Sequence, residues 1–141
     1  MTDRECQRRL ATLWLAVGIP LLVLLGVQDL RNVFGEQSSG AWSWYGAAVV
    51  PTLTVIVGTV INQARTQAVP VTIDRFAYRL AMGLSGVYLF LVVGTLVYVG
   101  IAGVTAEMTP LQVLNRSTAY LTPVQGFVGL AIGAFFGSRG H

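Results

Sequence analysis

The sequence predicts an all-α integral membrane protein: four transmembrane helices in one domain spanning residues 1–141, both termini cytoplasmic, and self-association into a homo-oligomer. Three observations carry this expectation. Hydrophobic residues make up 54% of the chain and charged ones only 11%, about half the charge of an ordinary soluble domain, and mean hydropathy is +0.66. The apolar residues gather into four stretches, about 10–28, 44–62, 78–103 and 115–137, each near the roughly 20 residues that cross a bilayer. The last of them carries a face of small and polar residues unsuited to lipid.

Residues Thr2 to Arg9 form a charged lead-in, with Thr2 and Glu5 at the spacing of a helix capping box. The first apolar run, Leu10 to Val27, is too long for the core of a cleaved signal peptide, and no small-x-small pattern follows it. It reads as a retained helix with Pro20 near its middle. Asp29 to Ser43 reads as a polar loop, which closes with Trp42, Trp44 and Tyr45, the kind of aromatic cluster enriched at membrane–water boundaries. The second span holds Pro51 and ends at Asn62, with Gly46, Thr54, Gly58 and Asn62 spaced at multiples of four. A loop from Gln63 to Arg75 follows, in which Asp74 is placed to cap the third helix. That helix has the most hydrophobic core of the chain, Leu80 to Ile101. Glu107 marks a short loop. Then Thr109, Pro110 and Gln112 occupy the N-cap, first and third positions of a capped helix start, so the fourth helix begins ahead of its apolar span. Pro123 lies within it.

Orientation follows from arginine, the only strongly basic residue type present. Arg4, Arg8, Arg9, Arg65, Arg75, Arg79 and Arg139 fall on one side of the predicted membrane, and Arg31 and Arg116 on the other. The positive-inside rule makes the first side cytoplasmic.

Around the fourth helix, one arc of roughly 120° collects Asn115, Thr118, Ala119, Thr122, Gln125, Gly126, Gly129, Gly133 and Gly137, with Phe136 the one large apolar intruder. Tyr120, Leu121, Val124, Phe127, Val128, Ala131 and Ile132 take the other side and suit lipid or an apolar neighbour. Gly126, Gly129, Gly133 and Gly137 provide bare backbone at the spacing of close helix packing, against a second copy of the chain or against another helix of the same chain. Asn115, Thr118, Thr122 and Gln125 supply hydroxyls and amides that suit either a water-filled path or interhelical hydrogen bonds. Arg116, beside this stripe at the predicted outer mouth, either biases a pore towards anions or reaches to lipid headgroups.

No catalytic, cofactor-binding or metal-ligating constellation is expected. The single histidine is His141, the single cysteine is Cys6, and Asp29, Glu36, Asp74 and Glu107 all sit at the ends of predicted spans or between them. Proton-coupled carriers need an ionisable group at depth, and enzymes need a reactive cluster. The formal charge of +3 is scattered among loops, which fits topology signals and not a nucleic-acid surface. The expected function is therefore a small homo-oligomeric channel or pore in the plasma (inner) membrane of a prokaryote, its partners being the bilayer and other copies of itself. The alternative is a non-conducting accessory subunit that docks a larger membrane protein through the glycine face.

Overall fold

Inside a bilayer every backbone amide must find its partner within the protein, which leaves the helix as the economical solution for an isolated segment. In the computed structural model the described residues are 3–65, 75–102 and 108–137. They form α1 (Asp3–Leu30), α2 (Ser38–Arg65), α3 (Arg75–Ala102) and α4 (Pro110–Gly137), with a short 3-10 turn at Gly35–Gln37. Each helix has 28 residues, about 42 Å at 1.5 Å per residue, against roughly 30 Å of hydrocarbon. Among the described residues all four are long and apolar enough to span a membrane, and there is no β-strand.

Each helix starts ahead of its predicted span, because hydropathy marks the greasy window while the helix begins in its polar flank. The largest difference lies between the first two spans. The expected loop over Asp29–Ser43 is reduced to residues 31–37, since α1 continues to Leu30 and α2 already starts at Ser38. A left-handed cap makes this reversal tight. Asn32 takes φ 61°, its amide donates to the Asp29 carbonyl at 2.9 Å, and the Val33 amide reaches the Gln28 carbonyl at 3.1 Å. This is the paired bonding of a Schellman cap, with asparagine in place of the usual glycine. The start of α4 matches its expectation. The Thr109 amide donates to Gln112 Oε1 at 2.9 Å, and the Gln112 amide donates to Thr109 Oγ1 at 3.3 Å. The caps expected at Thr2 and Asp74, and Glu107, Arg139 and His141, lie outside the described residues.

α1 packs on α2 and α3, and α4 packs on the same two helices from the other side. Gly18 lies against Tyr45 and Val49, and Asp29 against Trp42, so α1 and α2 are antiparallel. Trp14 meets Tyr88 and Gln28 meets Leu96, so α1 and α3 are parallel. Trp44 and Ala47 of α2 meet Ser117 and Gln125 of α4 in the same order, so the start of α1 and the end of α4 share one end of the bundle, together with Arg4, Arg8, Arg9, Arg65, Arg75 and Arg79. Arg31 and Arg116 occupy the other end.

Lipid is as apolar as leucine, so helix association rests on close packing and on buried hydrogen bonds, each worth about 0.6 kcal/mol on average. The chain uses both. Trp14 stacks on Tyr88 with centroids 6.0 Å apart, and Tyr88 donates its hydroxyl to the Ala48 carbonyl at 2.7 Å. Three of the four helices are thereby joined at one level. Trp44 and Tyr45, expected as interfacial anchors, are buried instead. Trp44 Nε1 donates to Ser117 Oγ at 3.0 Å and Tyr45 donates to the Gly18 carbonyl at 2.7 Å. Only Trp42 stays at the surface, bonded to Asp29. Their partners, Ser117 on α4 and Gly18 on α1, are far away in sequence, and this is what turns the two rings inward. The outside of the bundle is greasy: Phe90 is 76% exposed, Ile101 82% and Leu130 73%, which water would punish and lipid accepts.

Candidate functional site

Proline cannot donate a backbone hydrogen bond, so Pro51 leaves the carbonyl of Ala47, four residues earlier, without its helical donor. In a bilayer that carbonyl needs another. α4 supplies it: Gln125 Nε2 donates to Ala47 O at 3.0 Å and lies 3.5 Å from Ala48 O. Ala48 O is the acceptor already used by Tyr88. The proline turn of α2 is thus the level at which side chains from α3 and α4 converge, with Trp14 of α1 stacked behind Tyr88.

From this anchor a groove of about 350 Å³ runs between α2 and α4, walled by Leu111 and Leu121 as well as by polar side chains. Gly40, Ser43, Trp44 and Ala47 line it from α2, and Asn115, Thr118, Thr122 and Gln125 from α4. The four predicted polar residues do come together on one groove. Their circumstances differ, though. Thr118 turns its hydroxyl back to the Asn115 carbonyl at 2.5 Å, and Gln125 is engaged with α2. Asn115 and Thr122 are exposed, and among the described residues no hydrogen bond involves either side chain. No family model, curated protein or solved structure matches the chain. The reading of this groove therefore rests on its own chemistry.

The glycine run continues the groove along α4. Gly126, Gly129 and Gly133 are exposed, and a Cβ built on any of them would meet nothing within 4 Å. The surroundings of Gly137, the last residue of α4, lie outside the described residues. Of the two packing partners open to this run, the described part of the chain itself supplies none. Phe136 does not crowd the face; it is partly buried and packs edge-on against Phe135, with centroids 5.0 Å apart.

Close approaches within the chain use other glycines. A Cβ on Gly40 would press on the Leu111 side chain, and one on Gly100 would collide with the Gln28 amide, which donates to the Leu96 carbonyl at 3.0 Å. These isolated glycines, like the inward turn of Trp44, were missed by sequence reasoning, which looks for repeats. What each makes room for is one large side chain on another helix, and no pattern within the glycine's own helix announces it.

Arg116 lies apart from this site. It lines a second cleft, between α3 and α4, and not the groove of Asn115, Thr118, Thr122 and Gln125. Cys6 is buried.

Proposed function

We propose that this protein is a small homo-oligomeric channel of a prokaryotic plasma membrane, non-enzymatic, in which α4 forms the seam between subunits and the polar groove contributes to the lining. The observation that carries this reading is the uncovered stripe on α4. Only 28% of its span is buried within the chain, against 39% for α3, although α4 holds the groups least suited to lipid. The exposed Thr122 hydroxyl, deeper along α4 than Asn115, needs a partner or water in hydrocarbon. Exposed glycines at four-residue spacing permit a helix from a second copy to approach to backbone contact. Ring assembly would meet both needs at once, the glycines forming the contact and the hydroxyls and amides facing a hydrated path. The orientation with both termini cytoplasmic rests on the arginine asymmetry.

One observation favours a second reading, a non-conducting subunit that docks a larger membrane protein. Gln125 is already spent on α2, so part of the polar stripe does structural work.

The test is the mass of the purified protein in nanodiscs together with ion flux from liposomes. The channel reading expects a multiple of the 15.1 kDa chain mass and a flux that Thr122→Val reduces by favouring dewetting, with the assembly mass unchanged. A monomer that carries no flux under any voltage or lipid composition would hand the function to the docking reading.

A further inference from the structure

The cleft between α3 and α4, on the side of α4 away from the polar groove, has a volume of about 440 Å³, within the range of small-molecule sites. Its walls are greasy: Phe90, Leu91, Tyr98 and Val113 among others. Gly94 supplies floor without a side chain, since a Cβ there would meet nothing within 4 Å. Phe90 and Tyr98 on its rim are 76% and 57% exposed, so the cleft opens sideways onto the surface that faces lipid. Deeper in, Thr95 and Tyr120 share a hydroxyl–hydroxyl bond of 2.7 Å, which closes α3 onto α4 and leaves both groups satisfied.

Arg116 gives the cleft a charged end. It sits about 9 Å along α4 from Pro110, and its guanidinium is directed back towards the helix start, with Nη1 3.6 Å from the Met108 sulfur. A thioether is a weak acceptor, and a guanidinium has five N–H donors. Among the described residues this is the one hydrogen bond Arg116 makes. With a helix longer than the hydrocarbon is thick, that position places the charge at headgroup level. From Tyr98 down to Phe90 the apolar part of the cleft runs about 12 Å further towards the membrane centre.

We propose that this cleft binds one anionic phospholipid, its phosphate held by the Arg116 guanidinium and one acyl chain laid between α3 and α4 over Gly94. A free anion would use the arginine and leave the greasy cleft uncovered. A zwitterionic phospholipid offers the same phosphate, but its ammonium group cancels the net charge that a guanidinium selects. An anionic lipid answers both, because arginine forks onto phosphate oxygens and basic pockets between membrane helices recognise lipid headgroups. The site is independent of the channel reading, since it uses the opposite flank of α4.

The test uses the full chain in phosphatidylcholine vesicles that carry a trace of photoreactive lipid, either phosphatidylglycerol or phosphatidylcholine with a diazirine midway along one chain. Cross-linked peptides are mapped by mass spectrometry. The expected result is that the anionic probe labels residues 90–99 and 113–120 several-fold more than the zwitterionic probe does. Arg116→Gln should reduce that preference by roughly fivefold, and Arg116→Lys, which keeps the charge and loses the fork, should lose only part of it. Gly94→Phe, which fills the cleft without a backbone clash, should suppress labelling of these segments by both probes. Equal labelling by the two probes in the wild type overturns the proposal, as does labelling spread evenly over all four helices. Full preference retained in Arg116→Gln would overturn the assignment of the phosphate to this guanidinium. Competition by inorganic phosphate would reassign the site to a free anion.

Discussion

Gln125 answers Pro51: the amide on α4 donates at 3.0 Å to Ala47 O, the α2 carbonyl that the proline ring strips of its helical donor. The two residues sit on different helices and are 74 positions apart in sequence, yet each makes sense of the other. The proline opens an acceptor in the membrane, and the glutamine closes it.

This pairing makes a double-mutant cycle decisive. Gln125→Leu should destabilise the bundle by about 1 kcal/mol, the upper part of the range for interhelical bonds in membranes. Pro51→Ala returns an amide donor to α2, so Ala47 O no longer depends on α4. In that background Gln125→Leu should cost almost nothing. Unfolding in mixed micelles, followed by tryptophan fluorescence, gives all four stabilities. Strictly additive effects would mean that Gln125 is placed by the groove and not by the proline.

A second prediction separates two kinds of glycine on one helix. Gly100→Ala puts a methyl where the end of the Gln28 side chain lies, so the amide must swing aside and give up its bond to the Leu96 carbonyl, a cost of about 1 kcal/mol. Gly83→Ala meets nothing within 4 Å and should be neutral or slightly stabilising, as alanine is the better helix former. Gln28→Ala should relieve most of the Gly100→Ala penalty. Equal melting of both alanine variants would remove Gly100 from the α1–α3 contact.

The spans and the cap at Thr109 were legible in the sequence because each depends on local composition or spacing. Hydropathy needs about 20 apolar residues in a row, and a capping box needs two residues three apart. The polar stripe on α4 was legible too, since helical periodicity alone brings Asn115, Thr118, Thr122 and Gln125 to one side. The inward turn of Trp44 and Tyr45 was not, because aromatics near a span's end are anchors as often as packing residues until a partner such as Ser117 or Gly18 is known. The same holds for Arg116. Its place beside the stripe on a helical wheel is visible in the sequence, and its place on the rim of the α3–α4 cleft is not.

Orientation is open to direct labelling, with one precaution that the fold imposes. Cys6 is buried, so a membrane-impermeant thiol reagent would miss it from either side. In a Cys6→Ala background, Ser39→Cys, exposed at the start of α2, should label in intact cells. Arg4→Cys, exposed on α1 at the other end of the bundle, should label only after the cells are permeabilised. The reverse pattern would turn the protein over in the membrane and place Arg116 among inner-leaflet headgroups.

The last prediction concerns Gly133, where folding and assembly come apart. A leucine at this position points into open space within a single chain, so the isolated bundle should keep its stability to within about 0.5 kcal/mol, as expected for surface substitutions. In an assembly sealed by α4 the same side chain would hold two backbones apart at the point of closest approach. Gly133→Leu should therefore shift the mass in nanodiscs from assembly to single chain while leaving the unfolding transition in place. Gly83→Leu on α3, equally open in the bundle but off the proposed seam, should leave the mass unchanged. Measuring mass and unfolding on the same samples keeps the two effects distinct. An assembly that persists in Gly133→Leu would move the subunit contact off the glycine face. A lost transition would mean that the face is needed for folding itself.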